Sequence, residues 1–151
     1  MSTMYCQECG TEISRKAKMC PKCGIPVKYK GPLSVLRLVI GVLSLVFSLF
    51  IIFQSMAAGI VNTLEDTGDV GGSAGVLVAT LFIAAGIAGI ATRNSRKKVG
   101  PIICFVLYVF SGLLGFSNSA VYSDLQIWGG LAIIFGIIFL IAGLRTKNEK
   151  K

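Results

Sequence analysis

The stretch LQIWGGLAIIFGIIFLIAGL, residues 125–144, runs for one membrane thickness without a charged side chain. About 20 mainly apolar residues in a helix are enough to cross ~30 Å of hydrocarbon. Three further stretches of this kind precede it, at about 33–62, 75–92 and 99–116. The central part of each is free of charge, and Arg37 lies just inside the start of the first. That first stretch exceeds a single span, so it must tilt or project beyond the lipid. The bulk composition agrees: the 151 residues are 54% hydrophobic and only 15% charged, with a mean hydropathy of +0.76. A soluble domain of this length is not so apolar.

The breaks between the spans carry boundary signals. Gly31-Pro32 and Gly100-Pro101 open the first and third helices, where the missing proline N–H does no harm. Gly71, Gly72 and Ser73 read as the break before the second, and Ser123 or Asp124 can cap the fourth. Six residues join helices two and three, 93–98, and a similarly short link joins three and four. Links this short force antiparallel neighbours. The expected fold is an all-α membrane protein, an up-down bundle of four transmembrane helices within residues 33–148. It is preceded by a small module at 1–27 and a linker at 28–32, and followed by a basic tail at 149–151.

Net charge is +8, and placement decides what it means. Arg15, Lys16, Lys18, Lys22, Lys28, Lys30 and Arg37 stand at the N-terminal side of the first span. Arg93, Arg96, Lys97 and Lys98 fill the middle loop, and Arg145, Lys147, Lys150 and Lys151 end the chain. The other two loops hold Glu65, Asp66, Asp69 and Asp124 and no Lys or Arg. By the bias of basic residues toward the cytoplasm, both termini and the middle loop are expected inside. The first thirty residues are polar and lack a leader's apolar run, so the first helix is expected to act as a signal anchor. The location expected is a prokaryotic cell membrane, crossed several times. No nucleic-acid partner is expected, because the basic segments lack interleaved aromatics or a reading element; they suit anionic lipid instead.

The N-terminal module carries its own chemistry. Cys6-Gln7-Glu8-Cys9-Gly10 and Cys20-Pro21-Lys22-Cys23-Gly24 are two copies of a Cys-x-x-Cys-Gly turn. Each such turn converges two sulfurs, and two turns supply the four thiolates of a closed tetrahedral zinc shell. Cys6, Cys9, Cys20 and Cys23 are therefore the expected ligands of one structural Zn2+. A redox dithiol pair is the alternative, but the thioredoxin-like βαβ pattern that usually carries one is missing. Between the turns, Thr11 to Met19 is long enough for a small hairpin, with Ile13 and Met19 as its apolar contacts. A fragment this small has almost no core, so metal must supply its folding energy. Residues 5–26 resemble the short N-terminal zinc ribbon of bacterial and archaeal proteins, a family that often precedes transmembrane segments. The second turn has the family's usual Cys-Pro-x-Cys-Gly form, and the first departs from it at Gln7. The resemblance implies zinc binding and a docking role.

Catalysis is not expected. The chain has no histidine, no cytoplasmic carboxylate pair, and a zinc shell without an open position. The expected function is a non-enzymatic integral membrane protein whose cytoplasmic ribbon docks or regulates a membrane or cytoplasmic protein partner. The alternative is an oligomeric channel or transporter with the ribbon as its regulatory or assembly module. Small-xxx-small pairs at Ser55/Gly59, Ala85/Gly89, Ser111/Gly115 and Ala132/Gly136 serve either packing inside one bundle or contact with a partner or second copy. The segments 87–94 and 141–148 resemble each other, which fits a duplicated hairpin or the small alphabet of membrane helices. Cys104 is expected as a small buried apolar residue.

Overall fold

The computed structural model describes residues 3–14, 17–27, 33–65, 71–95, 97–118 and 123–146. The expected linker at 28–32, the tail at 149–151, and the basic residues Arg15, Lys16, Arg96 and Lys147 lie outside the described residues. The chain divides into two compact units, Met1–Lys30 and Gly31–Lys151.

In the first unit, strand β1 (Thr3–Tyr5) pairs antiparallel with β2 (Glu12–Ser14), Met4 facing Ile13. The pairing thus brackets the first Cys-x-x-Cys turn instead of filling the interval between the two turns. A matching bridge, Met19 to Pro26, brackets the second. Ile13 is buried with Cys6 and Cys20, whereas Met19 is 61% exposed. Met19 therefore contributes backbone to the ribbon and no core. In extended chain, neighbouring side chains point to opposite sides, and burying Cys20 turns Met19 outward.

The second unit holds α1 (Ser34–Glu65), α2 (Gly71–Ala91), α3 (Val99–Ser117) and α4 (Ser123–Arg145). All four are long and apolar enough to cross a membrane. Each helix packs antiparallel on the next. Gly41 lies against Gly86 and Gly72 against Ser55 and Gly59, joining α1 to α2. Gly115 lies against Leu125 and Gly129, and Gly143 against Pro101, joining α3 to α4. Between α2 and α3, Cys104 is buried with its Sγ 3.7 Å from the Ala85 carbonyl oxygen.

The second helix begins at Gly71, so Gly71, Gly72 and Ser73 form its first turn instead of a break before it. The reason is steric. A Cβ on Gly72 would stand 2.9 Å from the Ser55 carbonyl oxygen and 3.0 Å from the Gly59 Cα. Gly72 lets two backbones touch, which a larger residue with better helix propensity would prevent. The small-xxx-small pairs are likewise spent inside the bundle. Gly89 lies against Phe139, Gly136 against Tyr108 and Phe105, and Ser55, Ala85, Ser111 and Ala132 are buried.

Along α1 the buried positions include 37, 41, 44, 48, 51 and 55, alternating steps of four and three. That is the 3.5-residue period of helices in left-handed packing. The stripe reads Arg37, Gly41, Ser44, Ser48, Ile51 and Ser55, while Val35, Val39, Val46, Leu49, Phe50 and Phe53 face outward. An interior smaller and more polar than the exterior is the reverse of a soluble bundle, and it suits a hydrocarbon solvent. The serines satisfy themselves locally: Ser44 donates to the Ile40 carbonyl at 2.8 Å and Ser55 to that of Ile51 at 2.6 Å. Ser44 also meets the Tyr108 hydroxyl at 2.6 Å, a polar tie between α1 and α3. Around it the centre is aromatic. Phe82 and Phe135 both meet the Tyr108 ring edge-on, with centroids 5.8 Å apart in each case. Phe47 joins Phe135 to Trp128, and the Trp128 indole donates to the Gln54 side-chain oxygen at 2.8 Å.

Candidate metal centre

The two cysteine turns are built alike. The Gly10 N–H donates to the Cys6 carbonyl at 3.0 Å, and the Gly24 N–H to the Cys20 carbonyl at 2.9 Å. Cys6 N–H then bonds Thr11 O, and Cys20 N–H bonds Ile25 O, both at 2.9 Å. Gly10 and Gly24 close these turns with φ of +66° and +71°, the left-handed region where a side chain is strained. The glycine after each second cysteine is thus a backbone requirement of the site.

The four sulfurs converge. All lie within 4.8 Å of one another, with Cys6 to Cys23 and Cys9 to Cys20 each at 3.6 Å. Tetrahedral zinc with Zn–S near 2.3 Å requires sulfur–sulfur edges of about 3.8 Å. The arrangement fits a single ion of that size. Cys6 and Cys20 are buried, Cys9 is half-buried and Cys23 is exposed, so the site sits at the surface of the ribbon with one edge toward water.

The thiols are unevenly prepared for a cation. Cys9 is lowered to about 6, because the Thr11 hydroxyl and backbone N–H both favour its thiolate. Cys20 is also lowered, by backbone N–H groups of Cys23 and Lys22. Cys23 is pushed up to about 12; the Ile25 N–H favours its thiolate, but Cys20, burial, Cys6 and Cys9 together outweigh that. Four thiolates so close repel one another, and a divalent cation among them removes the conflict. A closed shell of this kind gives folding energy rather than reactivity. The described residues around it form a core of only Cys6, Ile13 and Cys20, with Met4, Cys9 and Val27 against them.

The geometry defines a zinc-binding module carried by a multi-pass membrane protein. Residues 5–27 match the zinc-ribbon domain family. No curated protein and no solved structure matches the chain.

Arg37, expected from its position as a charge near the lipid boundary, is fully buried. Its guanidinium donates to the Thr92 carbonyl and hydroxyl, each at 2.8 Å, and to the Arg93 carbonyl at 3.2 Å. These are the orphan carbonyls where α2 ends, the negative pole of that helix. The cation also lies 5.7 Å from the Phe139 ring centroid on α4. No sequence pattern marks main-chain acceptors, so the only available signal was the odd position of an arginine on the 3.5-residue stripe.

Proposed function

We propose that this is a non-enzymatic membrane protein whose ribbon docks a protein partner at the cytoplasmic face. The observation that carries this reading is the ribbon's surface. Tyr5 is 70% exposed and Met19 61%, and Tyr5 and Ile25 line a groove together with Met4, Gln7, Glu8, Ile13, Pro26 and Val27. A closed metal site leaves zinc with a structural task, and the surface it holds, with exposed Tyr5 and Ile25 beside polar Gln7 and Glu8, is suited to binding. The alternative of an oligomeric pore has less in its favour, since the small-residue faces are used inside the bundle and aromatic rings fill its centre.

Orientation belongs to the same proposal. The hydrogen bonds of Arg37 and the packing of Thr92 on Gly100 and of Pro101 on Gly143 bring the start of α1, the end of α2, the start of α3 and the end of α4 to one end. Arg93, Lys97, Lys98 and Arg145 share that end, and Asp124 opens α4 at the other. The basic end faces the cytoplasm of a prokaryotic cell.

The docking test places a photo-crosslinker at Tyr5 in native membranes and compares wild type with Cys20→Ser plus Cys23→Ser. A defined heterologous adduct that needs the intact cysteines supports docking. Adducts to copies of this chain alone, indifferent to the cysteines, refute it and favour assembly. For orientation, an impermeant maleimide added outside should label Asn118→Cys and spare Lys97→Cys; the opposite pattern inverts the topology.

A further inference from the structure

We infer that the basic end of the bundle is a docking surface for anionic phospholipid headgroups. Its elements are Arg93 after α2, Lys97 and Lys98 before α3, and Arg145 at the end of α4. Lys97 and Arg145 are exposed and Arg93 half-exposed, whereas Arg37 is consumed by the carbonyls of residues 92 and 93 and takes no part. The packing described above brings these segments together: Gly100 lies against Thr92, and Gly143 against Pro101 and Ile102. Asp124 opens α4 at the opposite end.

Helix length fixes the depth. The 21, 19 and 23 residues of α2, α3 and α4 correspond to about 31, 28 and 34 Å of helix. Those lengths match a hydrocarbon core of ~30 Å, so residues just beyond the helix ends stand at headgroup level. A cluster of cations at that depth is complementary to a phosphodiester with net negative charge and indifferent to a zwitterionic one. The inference concerns lipid chemistry and holds whichever face the end occupies.

The test uses the full chain in micelles with equimolar phosphatidylglycerol and phosphatidylcholine, reading bound lipid by native mass spectrometry. Wild type should retain phosphatidylglycerol over phosphatidylcholine by about tenfold or more, since each basic residue near the surface contributes about a five-fold preference. Arg93→Gln with Lys97→Gln, Lys98→Gln and Arg145→Gln should bring the ratio near one. Lys97→Gln alone, a loop change that folding tolerates, should lower it by about five-fold. Arg93→Lys with Arg145→Lys, and Asp124→Asn at the far end, should keep the wild-type ratio. A wild-type ratio near one overturns the inference, as does an unchanged ratio in either glutamine variant. Displacement of phosphatidylglycerol by millimolar inorganic phosphate also overturns it, by assigning the surface to a soluble anion.

Discussion

Arg37→Met should destabilise the bundle by roughly 2–3 kcal/mol. Methionine keeps an apolar stem of similar reach and removes the guanidinium. Three hydrogen bonds are lost, to the Thr92 carbonyl, the Thr92 hydroxyl and the Arg93 carbonyl. Interhelical hydrogen bonds in membrane proteins are worth about 0.6 kcal/mol on average and up to ~1.7. Three of them give about 2–5 kcal/mol. The cation over Phe139 adds about 0.5–2 kcal/mol, and relief of the cost of burying a charge subtracts a comparable amount or more. The lower half of the range follows. Arg37→Lys, a point donor that cannot fork across two carbonyls, should lose about half as much. The assay is equilibrium unfolding in mixed detergent micelles, followed by the fluorescence of Trp128. It is the chain's single tryptophan, and it is packed on Phe47 and bonded to Gln54. A double-mutant cycle with Thr92→Ala isolates the contact and should return a coupling near 1 kcal/mol. Stability of Arg37→Met within about 0.5 kcal/mol of wild type would refute the bracing role.

Two glycine substitutions separate packing from propensity: Gly115→Ala, whose Cβ would meet the Leu125 carbonyl oxygen at 2.9 Å and the Gly129 Cα at 3.1 Å, should cost about 1–3 kcal/mol. Gly130→Ala, with nothing within 4 Å, should be neutral or gain up to ~1 kcal/mol; equal effects in the same unfolding assay would contradict the packing account. Replacing Cys20 and Cys23 by serine should drop bound zinc, measured by plasma emission, from one ion per chain to background, whereas Cys104→Ser should leave it at one. The thiol of Cys9, lowered from 9.0 to about 6, contributes stability that is complete above pH 9 and is lost as pH falls through 6. Protons compete with zinc for all four thiolates, so zinc retention should fall as the pH is lowered, and retention that is flat to pH 4 would contradict this. At pH 7, zinc uptake should release a proton from Cys23, held at about 12, and little from Cys9, as read by an indicator dye.

The spans and the sulfur cluster were legible because their signals are local: a charge-free run of one membrane thickness, and a turn whose residues fix their own geometry. What the sequence hid depends on a neighbour. Gly71 and Gly72 read as a break, because glycine's conformational freedom and its smallness leave the same letter. At Gly72, only the approach of Ser55 and Gly59 shows which one is used. The small-residue pairs marked close approach without saying to what. Met19 looked like core by hydrophobicity, and the alternation imposed by Cys20 turned it outward. Arg37 was invisible as a brace since its partners are carbonyls 55 and 56 positions away.

The two kinds of packing imply an order of assembly. Each hairpin, α1 with α2 and α3 with α4, is closed by backbone against backbone at glycine, with Arg37 sealing the open end of the first. The hairpins meet each other through side chains: the aromatic cluster around Tyr108, the Ser44 hydroxyl and Cys104. Contacts close in sequence form earlier than remote ones. The first hairpin can thus complete itself while the second is still being synthesised, and the finished bundle arises by docking two preformed halves. The link beyond Arg93 is then a tether between halves, while Thr92 and Arg93 stay with the first hairpin as the acceptors of Arg37. Severing that link and co-expressing the two pieces would still return the whole.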